Sequence, residues 1–169
     1  MKLRCGVIGL GRIGCGFDDN PNAKMISTHT GAYLNNKNTE LVSFCDVDEK
    51  KLKKYGKKYN ITHLYTDYET MLKQENLDCL SICTWADSHL NIVTKAVQNH
   101  VKGIFLEKPI SDSLKNAKRI NDLCKKNNIK LQIDYQRRFD PIYHSLKKII
   151  SSKKFGKIQN CNINYGGGI

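Results

Sequence analysis

The sequence predicts an α/β protein built on a doubly wound parallel sheet, and three observations carry that expectation. Short apolar runs alternate with segments of helical period. Each run is continuous rather than alternating, as burial on both faces of a sheet requires. The first run also leads straight into a glycine-rich turn, GLGRIG at 9–14. In a repeated β-α-β order, right-handed crossovers then give a doubly wound sheet.

Strands are expected at 3–8 (LRCGVI), 40–45 (ELVSFC), briefly near 62–65, at 78–83 (DCLSIC), 102–106 (KGIFL) and 129–133 (IKLQI). Between them, Asp48 caps a helix that turns Leu52, Tyr55 and Tyr59 inward. Residues 87–100 place Leu90, Val93 and Val97 on one stripe, and 113–124 do the same with Ala117, Ile120 and Cys124. After residue 134 the pattern changes. Asp140 and Pro141 open a helix over 140–150 with Ile142, Leu146, Ile149 and Ile150 apolar, and 157–169 begins as a strand with loose alternation. The expected organisation is a nucleotide-binding domain over 1–134, then a linker helix and the first strand of an incomplete second α/β domain over 135–169.

The 169 residues, 40% hydrophobic and 8% aromatic, suffice for one good core. No apolar run approaches the roughly 18 residues of a membrane helix, and the N-terminal stretch is too short in its apolar part and too glycine-rich for a signal sequence. Seven cysteines without a C-x-x-C pair indicate a reduced, cytoplasmic chain that uses cysteine as a small core residue; no Cys/His spacing suggests a metal site. The formal charge of +12 is spread over helix faces among acids, with no aromatic-basic platform, so a solvated surface is expected in place of a nucleic-acid partner.

The chemistry is expected at the strand ends. In GLGRIG, Gly9 permits the tight turn, Gly11 lets backbone approach a pyrophosphate and Gly14 allows close helix packing, with Arg12 and Ile13 completing the loop. Asp46, at the end of the second strand, suits the ribose hydroxyls of adenosine and would repel a 2′-phosphate; no arginine follows at once, so NAD is favoured over NADP. Gly14 and Asp46 lie 32 residues apart, against a usual interval of about 20. The excess is placed in 15–29, as a flap that brings Asp18, Asp19 or His29 toward the nicotinamide side or as a surface insertion without function. The segments CTWADSH (83–89) and EKP (107–109) end two further strands, so Thr84, Trp85, His89, Glu107, Lys108 and Pro109 are expected at the same carboxyl edge, with a cis Lys108-Pro109 bond open.

GLGRIG, CDVD, DYETML, LDCLSICT, His89, LEKP and QRRFDP, in this order, resemble the Gfo/Idh/MocA family of NAD(P)-dependent oxidoreductases over essentially the whole chain. The resemblance implies a Rossmann domain followed by an α/β domain that forms the substrate site and subunit contacts, so a homo-oligomer is implied for a full-length form. It implies hydride transfer between nicotinamide and a hydroxyl/ketone pair of a sugar, cyclitol or sugar-nucleotide-like substrate. Lys108 would be the catalytic lysine, Thr84, His89 and Glu107 would line the cofactor, and Arg137 would contact cofactor or substrate. Family members continue beyond a GGG-like segment into an Asp and His four residues apart, whereas this chain ends at Ile169. A non-catalytic dinucleotide-binding or regulatory module is the alternative.

Overall fold

The computed structural model describes residues 2–22 and 25–164 and divides into two units, Met1–Asp134 and Tyr135–Ile169. The first unit is a six-stranded sheet of β1 (Leu3–Ile8), β2 (Thr39–Cys45), β3 (His63–Tyr65), β4 (Cys79–Ile82), β5 (Gly103–Leu106) and β6 (Lys130–Ile133). The strand order is β3-β2-β1-β4-β5-β6, with every neighbouring pair parallel. The order reverses between β1 and β4, and in open sheets of this kind ligands sit at the carboxyl edge beside that switch.

Helices α1 (His29–Leu34) and α2 (Glu49–Tyr59) accompany one core cluster, which includes Val7, Leu10, Phe44, Leu52 and Tyr55. Helices α3 (Tyr68–Glu75), α4 (His89–Gln98) and α5 (Leu114–Lys126) accompany the other, which includes Met71, Leu80, Ile82, Val93, Ile104 and Ile120. Side-chain caps fix the helix starts: Asp48 accepts from Lys50 N and Lys51 N, Asp67 from Thr70 N, and Ser113 from Asn116 N. Helix α3 turns Tyr68, Met71, Leu72 and Glu75 inward, so the fourth place of its helical stripe is a carboxylate and the apolar pattern alone covers little more than one turn.

Burial in the strands departs from expectation at β6, whose residues alternate between exposed and half-buried. It is an edge strand, so one flank and part of each face meet water. Among the described residues, no helix is long and apolar enough to cross a membrane.

In the second unit, α6 (Pro141–Ser151) starts where expected, with Asp140 accepting from Ile142 N. Its apolar residues Ile142, Leu146, Ile149 and Ile150 are exposed. The strand expected from 157 is corrected: residues 157–164 carry no strand, and 165–169 lie outside the described residues. An extended segment becomes a strand only by pairing its N–H and C=O groups with a neighbour, and no described residue pairs with this one.

Candidate functional site

The loop after β1 owes its shape to backbone approaching backbone. Gly9 has φ of +90°, and a Cβ there would lie 2.8 Å from the Cys83 carbonyl group. A Cβ on Gly14 would run into the Gly9 carbonyl oxygen. Gly11 differs: its backbone suits any residue, and a Cβ there would meet nothing within 4 Å. Folding therefore explains two of the three glycines, and the third leaves open room above the first turn, where the backbone can meet a ligand closely.

Asp46 faces this loop. Its Oδ2 accepts from Leu10 N at 2.7 Å and its Oδ1 from Asp48 N at 2.9 Å, and the residue is 8% exposed. The carboxylate thus ties the glycine loop to the end of β2. Lys51 Nζ lies 3.9 Å from both Asp46 Oδ1 and Asp48 Oδ2, a cation supplied by the first turn of α2 and not by the residues directly after Asp46.

The ends of β4 and β5 behave unequally. Thr84 Oγ1 is 2.7 Å from Ser88 Oγ, and Trp85 is 87% exposed. His89 is fully buried, with its ring nitrogens 3.1 Å from Thr84 O and 3.2 Å from Ile110 O. It bridges the loops that follow β4 and β5 from inside the fold and presents no surface to a cofactor. Its assignment as a lining residue is accordingly replaced by one behind the lining.

Glu107 is buried while Lys108 and Pro109 are exposed, and the Lys108-Pro109 bond is cis. Glu107 Oε2 accepts from Lys108 N at 3.1 Å, and its Oε1 lies 3.3 Å from His29 Nε2. His29 Nδ1 is 2.9 Å from Ser81 Oγ, its ring packs 4.4 Å from Phe105, and Asp134 Oδ2 is 3.8 Å from Nε2. Burial alone would raise the Glu107 carboxyl, but hydrogen bonds with His29 and Asp134 and the nearby imidazole hold it below the ordinary carboxylate range. His29, Glu107 and Asp134 also offer ligand atoms within 4.8 Å of one another, so they are close enough to hold an ion. No Cys/His spacing rule could have found them, because they lie on three separate segments.

The expected flap is revised in part. Asp18 turns back to Ser27 N and the Thr28 hydroxyl. Asp19 is taken by Lys54, Tyr55 and Lys58 of α2. His29 alone goes to the β5 end. Arg137 belongs to the second unit, where its guanidinium lies 3.3 Å from Asp140.

Comparison with known proteins adds a family match. The model described as an oxidoreductase family with an NAD-binding Rossmann fold matches residues 3–135. The myo-inositol 2-dehydrogenase of Thermotoga maritima is 30% identical over 155 residues, covering 92% of this chain and 42% of that protein. The structure of myo-inositol 2-dehydrogenase from Lactobacillus plantarum aligns with a TM-score of 0.80 at 26% identity, covering 94% of this chain and 43% of the other. The WlbA dehydrogenase from Bordetella pertussis, solved with NADH and UDP-GlcNAcA, aligns with a TM-score of 0.78 at 25% identity, covering 92% and 44%. The chain spans less than half the length of these relatives.

Proposed function

The chain belongs to the Gfo/Idh/MocA oxidoreductase family, with its NAD-binding Rossmann fold, and on that premise we propose that its carboxyl edge holds NAD for hydride exchange with a hydroxyl/ketone pair. Bound there, the nicotinamide supplies or accepts the hydride. The residues of the chain bind it, orient it and manage the proton.

Backbone N–H groups of the 9–14 loop receive the pyrophosphate, with Gly11 giving the room. The carrying observation is that a Cβ at Gly11 meets nothing in the protein. Asp46 takes the adenosine ribose, and the Lys51 cation beside it is shared by two carboxylates, which leaves the position unfavourable to a 2′-phosphate and supports NAD over NADP. Thr84, Trp85, Glu107 and Pro109 border the cofactor.

Lys108 is the proposed catalytic residue. Its backbone N–H is held by the buried Glu107, while its side chain is exposed. Its ammonium would exchange a proton with the reacting oxygen and stabilise charge that develops there. The proposed substrates are sugars, cyclitols or sugar-nucleotide-like molecules. Support comes from relatives named for myo-inositol and from one solved with UDP-GlcNAcA. The reading includes a cytoplasmic setting, a homo-oligomeric full-length form and no membrane or nucleic-acid partner.

Fluorescence titration with NADH and NADPH tests it. NADH is expected to bind at least about tenfold more tightly, a difference of roughly 1.4 kcal/mol, and Asp46→Ala to abolish that preference. A folded chain that binds neither nucleotide would contradict the proposal. NADH binding without turnover of any polyol or sugar would favour the non-catalytic module.

A further inference from the structure

The stretch between the glycine loop and α1 has a register that neither the family match nor the cofactor reading explains. His29 N donates to Ile13 O at 3.1 Å, and Thr30 N donates to Gly14 O at 3.1 Å. Both pairs are 16 positions apart in the sequence, whereas an α-helical hydrogen bond spans four. Removing 12 residues would turn both into ordinary helical bonds. The same removal would shorten the interval from Gly14 to Asp46 from 32 residues to about the 20 usual for a dinucleotide-binding unit.

Two independent measures therefore give one insertion length. The chain makes a single helical turn from Gly11, with Cys15 N donating to Gly11 O at 3.0 Å, and leaves that track as Gly16 N and Phe17 N reach five residues back to Gly11 O and Arg12 O, at the start of a short 3-10 turn over Gly16–Asp19. It returns at Thr28, which caps α1 by accepting from Gly31 N at 2.9 Å. Asp18, near the exit, holds Ser27 N and the Thr28 hydroxyl at the re-entry, so the excursion is tied at its neck. Asp19 pins it to α2 through Lys54 at 2.6 Å, Lys58 at 2.7 Å and Tyr55 Oη at 2.9 Å. The three donors outweigh the cost of burying the Asp19 carboxyl and hold it far below the usual aspartate range.

Phe17, the first residue of the excursion, meets the glycine loop. The Arg12 guanidinium carbon stands 4.7 Å from the centroid of its ring. Arg12 and Phe17 are both exposed, so this contact restrains a long cation that would otherwise sample many rotamers.

We propose that residues 17–28 are an excursion inserted in register into the first helix, and that its Phe17 is a positioning residue that braces Arg12 for the phosphates of the dinucleotide. A guanidinium held in one orientation donates paired hydrogen bonds to phosphate oxygens with less ordering cost at binding. The role of Phe17 rests on the cofactor site proposed above. It makes the excursion a determinant of cofactor affinity.

NADH titrations of the wild type, Phe17→Ala, Arg12→Ala and the double variant, at one ionic strength, test the brace. Phe17→Ala is expected to weaken binding about two- to fivefold, the range of an exposed cation–π contact. Arg12→Ala should cost more, and the double variant should match Arg12→Ala alone, because a ring without a guanidinium has nothing to hold. An unchanged affinity in Phe17→Ala, or an equal loss in both backgrounds, overturns the brace while the cofactor site stands. A wild type that binds no NADH overturns the cofactor site and the brace together. Joining Gly16 directly to His29 tests the insertion: a cooperatively folding chain with the NADH affinity of Phe17→Ala is expected, and loss of cooperative unfolding overturns the in-register reading.

Discussion

His29 and Glu107, 78 positions apart, meet at 3.3 Å with their side chains only 3% and 8% exposed. The contact joins the start of α1 to the end of β5, and through Glu107 Oε2 it reaches the backbone of Lys108. A residue beside the inserted excursion thereby helps fix the proposed catalytic segment.

Removing His29 takes one buried partner from Glu107, which keeps Lys108 N and Asp134. His29→Ala is expected to cost about 1–3 kcal/mol, read by urea unfolding. The pH dependence has a definite sign. Glu107 is held below its ordinary value in the folded chain, so its contribution is full above the unfolded glutamate range near ~4.3. It is lost as pH falls through the lower folded value. The gap between wild type and Glu107→Gln should narrow on that acid side and stay constant above it.

Glu75 anchors the far side of the sheet. Its side chain is 3% exposed and accepts from Arg4 at 3.1 Å, from Tyr65 Oη at 2.5 Å and lies 2.6 Å from His63 Nδ1. Arg4 and His63 are substantially exposed, so water replaces much of what Glu75→Ala removes. A loss of about 1–3 kcal/mol is expected by denaturant titration, with NADH affinity unchanged.

Cys5 and Cys79 are direct partners in the β1–β4 register. The proximity of the Cys5 thiol lowers Cys79 to about 7, against the opposing effect of burial, while the Cys79 thiol and burial raise Cys5, whose Sγ lies 3.3 Å from Leu3 O, well above the thiol range. The thiolate is the nucleophile, so the alkylation rate of Cys79 should rise through pH about 7 in a Cys161→Ser background. Cys5→Ala should move that midpoint toward the ordinary ~8.5. Peptide mapping after timed iodoacetamide exposure reads both outcomes.

Asp46→Asn separates two roles of one carboxylate. The amide oxygen can still accept one backbone N–H, so a folded chain is expected by circular dichroism. With the charge gone, NADH affinity should fall about tenfold or more and the discrimination against NADPH should shrink. Equal losses for both nucleotides would assign Asp46 to loop geometry alone.

Local rules made most of the fold legible. Asp48 and Asp140 cap where their sequence neighbours placed them, and the continuous runs at β1, β2, β4 and β5 are the inner strands. Helix α3 is harder to read because its inward stripe of Tyr68, Met71, Leu72 and Glu75 ends on a carboxylate, which an apolar pattern does not count. The edge position of β6 is a property of strand order, which no single strand encodes. At the site, GLGRIG, Asp46 and EKP are visible as motifs at the ends of apolar runs. The cluster of His29, Ser81, Glu107 and Asp134 was not, since it forms only when α1, β4, β5 and the end of β6 converge. His89 stands after a strand, a place that suggests a lining residue, while its complete burial is set by tertiary packing that the sequence does not display.

NADH titration of Gly11→Val beside the wild type tests the cofactor site most directly, because a Cβ at Gly11 meets no protein atom within 4 Å and the added side chain is expected to conflict with a ligand. The variant is expected to keep the wild-type thermal midpoint and to lose NADH affinity by at least about tenfold. Unaltered NADH binding in a folded Gly11→Val chain would contradict the placement of the dinucleotide against this loop.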